Sequence, residues 1–481
     1  MNSGLHRNIV PVIVATALFM ENLDATVLAT SLPAIAKDLA TNPIHLKLAL
    51  TTYLLALAVF IPASGWAADR YGAKNVFRAA MIVFGLGSIA CAISTGLWSL
   101  VAARVLQGIG GAMMAPVGRL IVWRAIPKAE VIGAIAWLTI PALVGPVIGP
   151  PLGGFITTYF NWRWIFWINI PVAVAGVVLI SRFIPAFREE NPGEFDTRGF
   201  LLVGPGLSLF LTGVTLMGLG LVSGATVTLI TLTGAALLTG YIVHALKSQN
   251  PLIDLRLIKI PAFRAAVLGG FLFRAGLGAA PFLLPLLFQS GFGMTPFQSG
   301  MLTFATGIGV ILMKTQAATI LRRFGYRRVL IVNGIISAAF TAIPAFFTSA
   351  TPVLFIAAIF LVGGLPRSLQ FTSVNTLAYA DVPPGKLSRA SSFAAVGQEL
   401  AGSAGVTIAA LGLEFMQRLE GGTTIDPSHF PPVFILISFV SAASVLLFAR
   451  LPHDAGAELL KPAAPITPEK SPGDSSPGHL A

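Results

Sequence analysis

Long apolar segments, separated by short polar stretches, recur along the whole chain. Each is about twenty residues long, which is the length an α-helix needs to cross the hydrocarbon core of a bilayer. The segments are continuous, whereas the strands of a transmembrane β-barrel would alternate in short runs. The pattern predicts fourteen membrane-spanning helices at about residues 8–33, 47–68, 77–96, 99–122, 131–158, 163–184, 199–220, 225–246, 262–289, 298–320, 328–347, 351–380, 387–416 and 432–450.

Composition agrees with an all-α integral membrane protein. Of the 481 residues, 55% are hydrophobic and only 10% are charged, whereas about 25% are charged in a soluble globular protein. A single cysteine, Cys91, lies in an apolar run, which excludes an internal disulfide and a cysteine-based metal cluster. The first apolar segment is longer than the core of a signal peptide and contains two acids. We therefore interpret it as a retained helix.

The basic residues predict the orientation in the membrane. The net charge of +12 would suggest a nucleic-acid partner in a soluble protein. With the N-terminus in the cytoplasm, however, 22 of the 31 Lys and Arg residues fall in cytoplasmic segments and five within helices. The four in external segments are Lys37, Lys47, Arg163 and Arg418. Because cytoplasmic loops carry the excess of Lys and Arg, we predict that both termini are cytoplasmic and that no nucleic acid is bound.

An internal repeat divides the chain into two halves. Residues 68–76, ADRYGAKNV, align with residues 321–329, LRRFGYRRV, and both loops join the second and third helices of a six-helix block. Duplicated halves around a central cavity are a common plan of secondary transporters. The two extra helices contain almost no ionisable groups, so we expect them at the periphery. The predicted domains are a first six-helix bundle (1–184), two inserted helices with linkers (185–250), a second six-helix bundle (251–450) and a disordered cytoplasmic tail (451–481).

Two acidic residues interrupt the first apolar segment. Glu21 and Asp24 are three residues apart, so they share one helical face near the middle of the span. Burial disfavours an ionised carboxyl group, and a neighbouring carboxylate disfavours it further. Such a group can load and release a proton or, when ionised, attract a cationic substrate. The two uses exclude each other and would couple proton entry to substrate exit. The alternative is ion pairing, of Glu21 with Arg274 or of Asp24 with Arg104, that only holds helices together.

Other charged residues lie inside predicted spans of the second half. Glu399, beside Gln398, is surrounded by small residues that leave room for water, and it is a second candidate for handling the proton or the substrate. Arg274 and Arg367 are also placed at membrane depth, where a charge is costly and normally has a partner or a function. If both arginines line the cavity, an anionic or zwitterionic substrate is plausible. Lys314 is close enough to an interface to reach it by snorkelling.

The cytoplasmic loop 65–78, GWAADRYGAKNVFR, combines turn-forming glycines with one acidic and several basic residues. Its spacing, Gly-x3-Asp-Arg-x-Gly-x-Lys, resembles the signature loop of the major facilitator superfamily. The resemblance implies the major facilitator fold and a latch that holds the two halves together in one state. The matching residues are Gly65, Asp69, Arg70, Gly72 and Lys74. The repeated loop has Arg322 in place of Asp69, so any latch there would work differently.

The fourth and fifth segments also resemble superfamily motifs. Arg104 matches a buried arginine of the fourth helix that is associated with proton coupling. In the fifth segment, ALVGPVIGPPLGG resembles the motif that marks antiporters, and it implies a pivot against the opposite half. Its prolines each remove a backbone donor, so the helix cannot be uniform. The motif residues are Gly145, Pro146, Gly149, Pro150, Gly153 and Gly154.

Two further stretches, LDATVLATSLP at 23–33 and WRWIFWINIP at 162–171, resemble features of the fourteen-helix drug:proton antiporter family. The resemblance is dense in the first half and thin in the second. It implies a monomeric, cofactor-free, proton-coupled exporter of lipophilic, often cationic drugs, working by alternating access in a bacterial cytoplasmic membrane. It also favours Asp24 as the coupling carboxylate.

Three alternatives to a drug exporter remain open at this point. The first is an exporter or facilitator of an anionic or zwitterionic metabolite on the same fold. The second is a membrane enzyme, but the six histidines show no metal-ligand spacing. The third is a scaffold, which would not need charged groups within its spans. An ATP-driven pump is disfavoured because no Walker lysine motif occurs.

Overall fold

The helices of the protein coincide with the predicted apolar segments. A computed structural model describes residues 3–126, 131–186, 189, 193–421 and 425–460. Thirteen helices among these residues are long and apolar enough to cross a membrane, and the 29-residue helix Val131–Tyr159 is the fourteenth. The predicted all-α class and helix count are therefore confirmed. Most of the predicted tail, from residue 461 onward, lies outside the described residues.

The fourteen helices are numbered in chain order. They are α1 (Ser3–Asp38), α2 (Lys47–Tyr71), α3 (Ala73–Ala92), α4 (Leu97–Ala125), α5 (Val131–Tyr159), α6 (Trp164–Phe183), α7 (Thr197–Leu216), α8 (Gly224–Lys247), α9 (Pro261–Gly291), α10 (Pro296–Phe324), α11 (Tyr326–Ala342), α12 (Val353–Leu377), α13 (Leu387–Leu419) and α14 (Phe430–Phe448). Helix α9 contains two π-helical turns, Ala265–Gly269 and Leu286–Gly291.

The internal repeat seen in the sequence recurs in the backbone. One glycine, Gly72, ends α2 with a φ of 87°, and the equivalent Gly325 ends α10 with a φ of 72°. Residues with a side chain rarely adopt this left-handed region, whereas glycine enters it at little cost. The same tight turn therefore joins the second and third helices of each six-helix bundle, α1–α6 and α9–α14.

The two inserted helices lie on the outside of the bundles. Helix α7 packs on α2, where the Phe60 and Phe200 ring centroids are 5.8 Å apart. It also reaches α13, where the hydroxyls of Thr215 and Thr407 are 3.2 Å apart. Helix α8 packs on α7, with Gly234 against its backbone. The inserted pair thus covers the seam between α2 of the first bundle and α13 of the second.

Two apolar clusters join the bundles, a large one and a smaller one that includes Ala58 of α2, Val396 of α13 and residues of the inserted helices. At the predicted external end, a single cluster contains residues of both bundles, such as Leu32 and Phe288. At the predicted cytoplasmic end, one cluster around Phe77 belongs to the first bundle and another around Leu330 belongs to the second. The two bundles therefore share their large core externally. On the cytoplasmic side each has its own core, and the smaller cluster joins them beside the inserted helices.

Polar contacts between the bundles, among the described residues, lie at the predicted external end. Within the described part of the chain, three hydrogen bonds join residues of α1–α6 to residues of α9–α14, and all three lie at the predicted external end. They link Lys47 to Glu414 at 3.1 Å, Gln289 to the Thr30 carbonyl at 2.8 Å, and the Phe297 amide to Thr158 at 3.0 Å.

Candidate functional site

Asp24 lies inside the first bundle and is only 3% exposed. Its Oδ2 forms an ion pair with Nη1 of Arg104 at 2.6 Å. Its Oδ1 accepts hydrogen bonds from Nε2 of Gln107 and from Nδ2 of Asn169, each at 2.8 Å. Both amides also contact the hydroxyl of Ser88. The carboxylate is thus held by α4 and α6, with α3 supporting the amides.

Arg104 extends this network to α2. It is fully buried, its Nε donates to the Ala49 carbonyl at 3.3 Å, and its guanidinium lies 4.0 Å from the centre of the Tyr53 ring. We call Asp24, Arg104, Gln107 and Asn169 the first-bundle network. The sequence left two roles open for Asp24, a coupling role and an ion pair with Arg104. The structure contains the ion pair. Its part in proton coupling remains a prediction.

Sequence reasoning did not single out Asn169 or Ser88 as members of this network. The sequence carried one signal for Asn169, since it is an amide inside the apolar stretch WINIP. A polar group at membrane depth needs a partner. Pairing it with Asp24, 145 positions away, requires knowledge of how the helices pack.

Among the described residues, Glu21 forms no hydrogen bond with the first-bundle network. Its Oε2 is buried without a hydrogen-bond partner among the described residues, and its Cγ lies near Gly111 of α4. Glu399 of α13 is close enough to repel it electrostatically, and Arg119 attracts it. Within the described part of the chain, Glu21 makes no ion pair with Arg274. This carboxylate therefore lies beside α4 and outside the first-bundle network, where Glu399 of the second bundle influences it electrostatically.

Arg274 forms the other side of this charged group. It is 8% exposed, and its Nη2 donates to Asn375 Oδ1 at 2.5 Å. Its guanidinium lies 5.4 Å from the centre of the Phe371 ring, and it attracts Glu399 electrostatically. We call Glu21, Glu399 and Arg274 the inter-bundle charge group, because its members come from α1, α13 and α9.

A cavity of about 390 Å³ lies between the bundles, lined by α1, α5, α9, α10 and α12. Its charged lining residues are Lys314 and Arg367. The other residues predicted for the substrate cavity do not line this space; they are Glu21, Asp24, Arg274, Gln398 and Glu399. Lys314, interpreted from the sequence as a snorkelling residue, instead points into the cavity and donates to Thr372 at 3.3 Å.

Helix α5 contacts both bundles through its glycines and prolines. A Cβ on Gly149 would collide with the Thr26 side chain of α1, and one on Gly154 would collide with the Pro296 carbonyl of α10. Gly145 and Gly153 also lie against α1, and Pro146 and Pro150 line the cavity. The antiporter-like motif thus lies where the two bundles meet, although its role as a pivot remains a prediction.

The signature loop makes its polar contacts within the first bundle and the linker that follows it. Asp69 pairs with Arg124 of α4 at 3.0 Å, and Arg124 also contacts Glu189 at 3.2 Å. Lys74 donates to the Ser181 carbonyl at 2.8 Å. Arg70 is exposed, and Gly65 has open space around it. Within the described residues, this loop is not bonded to the second bundle, so the latch between halves remains a prediction.

Known proteins resemble this chain in sequence over most of its length. The model of the major facilitator superfamily matches residues 14–253 and 266–473. MdtD of Salmonella heidelberg, which carries the name of a multidrug resistance protein, is 38% identical over 450 residues. The match covers 92% of this chain and 94% of that protein. MdtD of Salmonella typhimurium matches with the same identity and coverage.

Solved structures resemble it in fold. A D-xylose-proton symporter superposes with a TM-score of 0.66 at 14% identity, covering 93% of this chain and 98% of that one. A POT family transporter gives 0.68 at 14% identity, covering 91% and 94%. The human organic anion transporter MFSD10 gives 0.60 at 15% identity, covering 92% and 99%. With the two-bundle architecture, the inter-bundle cavity and the sequence match, the chain belongs to the major facilitator superfamily and is a multi-pass membrane transporter.

Proposed function

We propose that this protein is a proton-coupled exporter of lipophilic small molecules that works by alternating access in a bacterial inner membrane. The observation that carries the proposal is Glu21, a carboxylate of the first bundle whose Oε2 is buried without a hydrogen-bond partner among the described residues. We pair it with Glu399, an acid within α13 of the second bundle. Asn22, the neighbour of Glu21 on α1, lines the cavity, so Glu21 lies at the same depth in the membrane as the cavity. A change in the relative position of the bundles would change the distance between the two acids.

This arrangement offers a way to couple protons to motion. Two carboxylates that face each other in a buried site cannot both ionise without a large cost, so one bound proton stabilises the pair. When the bundles separate at this point, the repulsion falls and the proton can leave. Protons that enter down their gradient supply the work, since one charge moved across 100 mV is worth about 2.3 kcal/mol.

Alternating access is supported by the uneven packing of the bundles, whose large shared core and polar contacts lie at one end. They share a core and three hydrogen bonds at the predicted external end, with the cavity on the cytoplasmic side of these contacts. A substrate from the cytoplasm or the inner leaflet would enter the cavity in this state. Separation of the external contacts, with Lys47 leaving Glu414, would then release it outside.

The charge of the substrate depends on which residues it contacts. The resemblance to drug:proton antiporters favours a cation, and Glu21 and Glu399 are the acids that could attract one. None of the described residues that line the cavity is acidic, however, and its two charged lining residues are Lys314 and Arg367. This observation favours the second candidate function, the export of an anionic or zwitterionic compound on the same fold.

Transport in liposomes with an imposed pH gradient tests the proposal. The purified protein is assayed with ethidium as a lipophilic cation and with 2-naphthoate as a lipophilic anion. We expect the gradient to drive transport of at least one probe, and we expect Glu21→Gln and Glu399→Gln to reduce it at least tenfold. Exchange of the same probe without a gradient should persist, because the binding cavity is intact.

A matched control is Glu420→Gln, which removes an exposed acid just beyond the end of α13. It should leave gradient-driven transport unchanged. Normal gradient-driven transport in both the Glu21 and the Glu399 variants would rule out this pair as the coupling site. Transport of neither probe in response to the gradient would contradict proton coupling.

A further inference from the structure

The walls of the 390 Å³ cavity carry positive charge. Arg367 of α12 and Lys314 of α10 both line it, and both side chains are half-buried. The described lining residues include no Asp or Glu. Within the described part of the chain, no carboxylate lies at ion-pair distance from either cation. The positive charge of this cavity is therefore not neutralised by the protein residues that surround it.

The two cations also have unused hydrogen-bond donors. A guanidinium has five N–H donors and an ammonium has three. Arg367 donates from Nη2 to the Leu277 carbonyl at 3.2 Å, and Lys314 donates to Thr372 at 3.3 Å. The described residues offer no further acceptor to either group. Since a buried charge without a partner is costly, an anion that entered the cavity would be stabilised by both.

The remainder of the cavity is suited to an apolar body. Its lining is mostly apolar, including Leu277, Leu284, Val310 and Phe371, with hydroxyls such as that of Thr306 interspersed. Its volume falls within the range of about 300–1,000 Å³ that is usual for small-molecule sites. The site thus combines a large apolar surface with two cations on the neighbouring helices α10 and α12.

We propose that the cavity binds an amphiphilic organic anion, with its oxyanion group between Arg367 and Lys314 and its apolar part against α9 and α12. A planar oxyanion such as a carboxylate can accept two parallel hydrogen bonds from one guanidinium. Because Glu21 and Glu399 lie outside the cavity lining, the proton and the anion use separate groups. The direction of transport, from inside to outside, rests on the proposed export function, whereas the binding preference does not.

Equilibrium binding to the full-length protein in lipid nanodiscs tests this preference. The probes are 2-naphthoate, the neutral 2-naphthamide and the cation 2-naphthylmethylammonium, which share one apolar body and differ in charge. Empty nanodiscs correct for partition into lipid. We expect naphthoate to bind at least tenfold more tightly than the amide, and the ammonium to bind most weakly, because a hydrogen bond to a charged group contributes about 1.5–3 kcal/mol.

Variants of the two cations identify the site. Arg367→Gln and, independently, Lys314→Gln should each lower the naphthoate-to-naphthamide affinity ratio about tenfold while binding of the amide is retained. Arg367→Lys should restore part of the preference. The control Arg322→Gln removes an exposed cation from the end of the same helix, α10, and should leave the ratio unchanged.

Two results would overturn the proposal. One is tighter binding of the ammonium probe than of naphthoate by the wild type. The other is an unchanged affinity ratio in both Arg367→Gln and Lys314→Gln. Because no pH gradient is applied, either failure leaves the proton-coupled mechanism intact. Conversely, loss of gradient-driven transport with a normal naphthoate preference would refute only the coupling mechanism.

Discussion

Asp24 and Glu21 lie one helical turn apart on α1, yet their surroundings differ completely. Asp24 belongs to the first-bundle network, where its two oxygens are bonded to Arg104, Gln107 and Asn169. Glu21 belongs to the inter-bundle charge group, and its Oε2 has no hydrogen-bond partner among the described residues. One acid is therefore fixed within a rigid bundle, and the other lies at a contact between two bundles.

The same contrast applies more widely to the polar groups of this protein. Between the bundles, Lys47 bonds one oxygen of Glu414 while the other, Oε2, has no partner in the described residues. A group whose bonds are complete on one bundle gains nothing when the bundles move. A group at the interface must exchange partners during transport, so incomplete bonding there is compatible with function. Changes within a bundle should thus affect stability, and changes between bundles should affect conformation and transport.

The largest effect is expected from Asp24→Asn. It leaves the buried Arg104 without its counter-charge, and removal of one partner from a buried ion pair costs about 3–5 kcal/mol. We expect a loss of this size in the free energy of unfolding, measured by titration with SDS in mixed micelles. The comparison variant Glu21→Gln should unfold within about 1 kcal/mol of the wild type, since it breaks no hydrogen bond at Oε2. Equal stability of the two variants would remove the distinction between the two acids.

The next largest effect is expected for the external contact between the bundles. Lys47→Met leaves the buried Glu414 without its cation, and separation of the bundles would return that acid to water. A cysteine at Ala29, which lines the cavity, should then react several-fold faster with an impermeant maleimide added outside. The native Cys91 is fully buried, so its background reactivity is low.

Two controls accompany this prediction. The double variant Lys47→Met/Glu414→Met should restore slow labelling, because apolar residues can replace a buried ion pair at little cost. Arg163→Met removes an external cation that pairs with Asp38 inside the first bundle, and it should not change the labelling rate. Unchanged labelling in Lys47→Met would show that the pair does not hold the bundles together.

Two glycine contacts of α5 can be compared, one within the first bundle and one across the interface. We expect effects of intermediate size when either glycine is replaced. Gly149 lies against Thr26 within the first bundle, whereas Gly300 of α10 lies against the Pro150 carbonyl across the interface. An added methyl group at a tight contact costs about 1–3 kcal/mol. Gly149→Ala should therefore lower the thermal stability, measured by loss of the monodisperse fraction in size-exclusion chromatography.

Gly300→Ala should mainly slow transport, because the bundles can relieve its collision by shifting apart. Gly224→Ala, at the start of the inserted helix α8, is the control for both, since nothing lies within 4 Å of the added methyl group. If Gly300→Ala lowered stability as much as Gly149→Ala and left transport intact, the interface would be as rigid as the bundle interior.

The smallest effect is expected for Asp69→Asn. The ion pair of Asp69 with Arg124 lies within the first bundle, but the side chains are 37% and 27% exposed. Exposed pairs contribute about 1 kcal/mol or less, so the SDS midpoint should barely move. A loss as large as that of Asp24→Asn would show that position within a bundle matters more than burial.

Sequence reasoning predicted the architecture well because the hydrophobic pattern is nearly sufficient for it. A run of about twenty apolar residues has few options other than a membrane-spanning helix. The glycine turns at Gly72 and Gly325 and the repeat around them were also visible in the sequence, since both are local properties. The ion pair of Asp24 with Arg104 could be offered as an alternative from the sequence, because both residues are charges within apolar segments.

The distribution of the charged residues within the helix bundle was less predictable. Three positions along a helix correspond to a rotation of about 60° from the first position, and this was enough to bond Asp24 to Arg104 while Glu21 Oε2 has no hydrogen-bond partner among the described residues. Lys314 was expected at the membrane interface and lies in the cavity, while Arg274 was expected in the cavity and lies beside Glu399. These outcomes depend on helix rotation and tilt, which apolar periodicity in a mostly apolar helix defines weakly.

By itself, the sequence determined the class of protein, the number of helices, the duplication and the presence of charges at membrane depth, because each follows from local composition and length. Only the tertiary structure decided which charges pair, which line the cavity and at which end the bundles meet. The physical reason is that the energy of a buried charge depends on the groups within a few ångströms of it. Those groups come from helices that are distant in the chain.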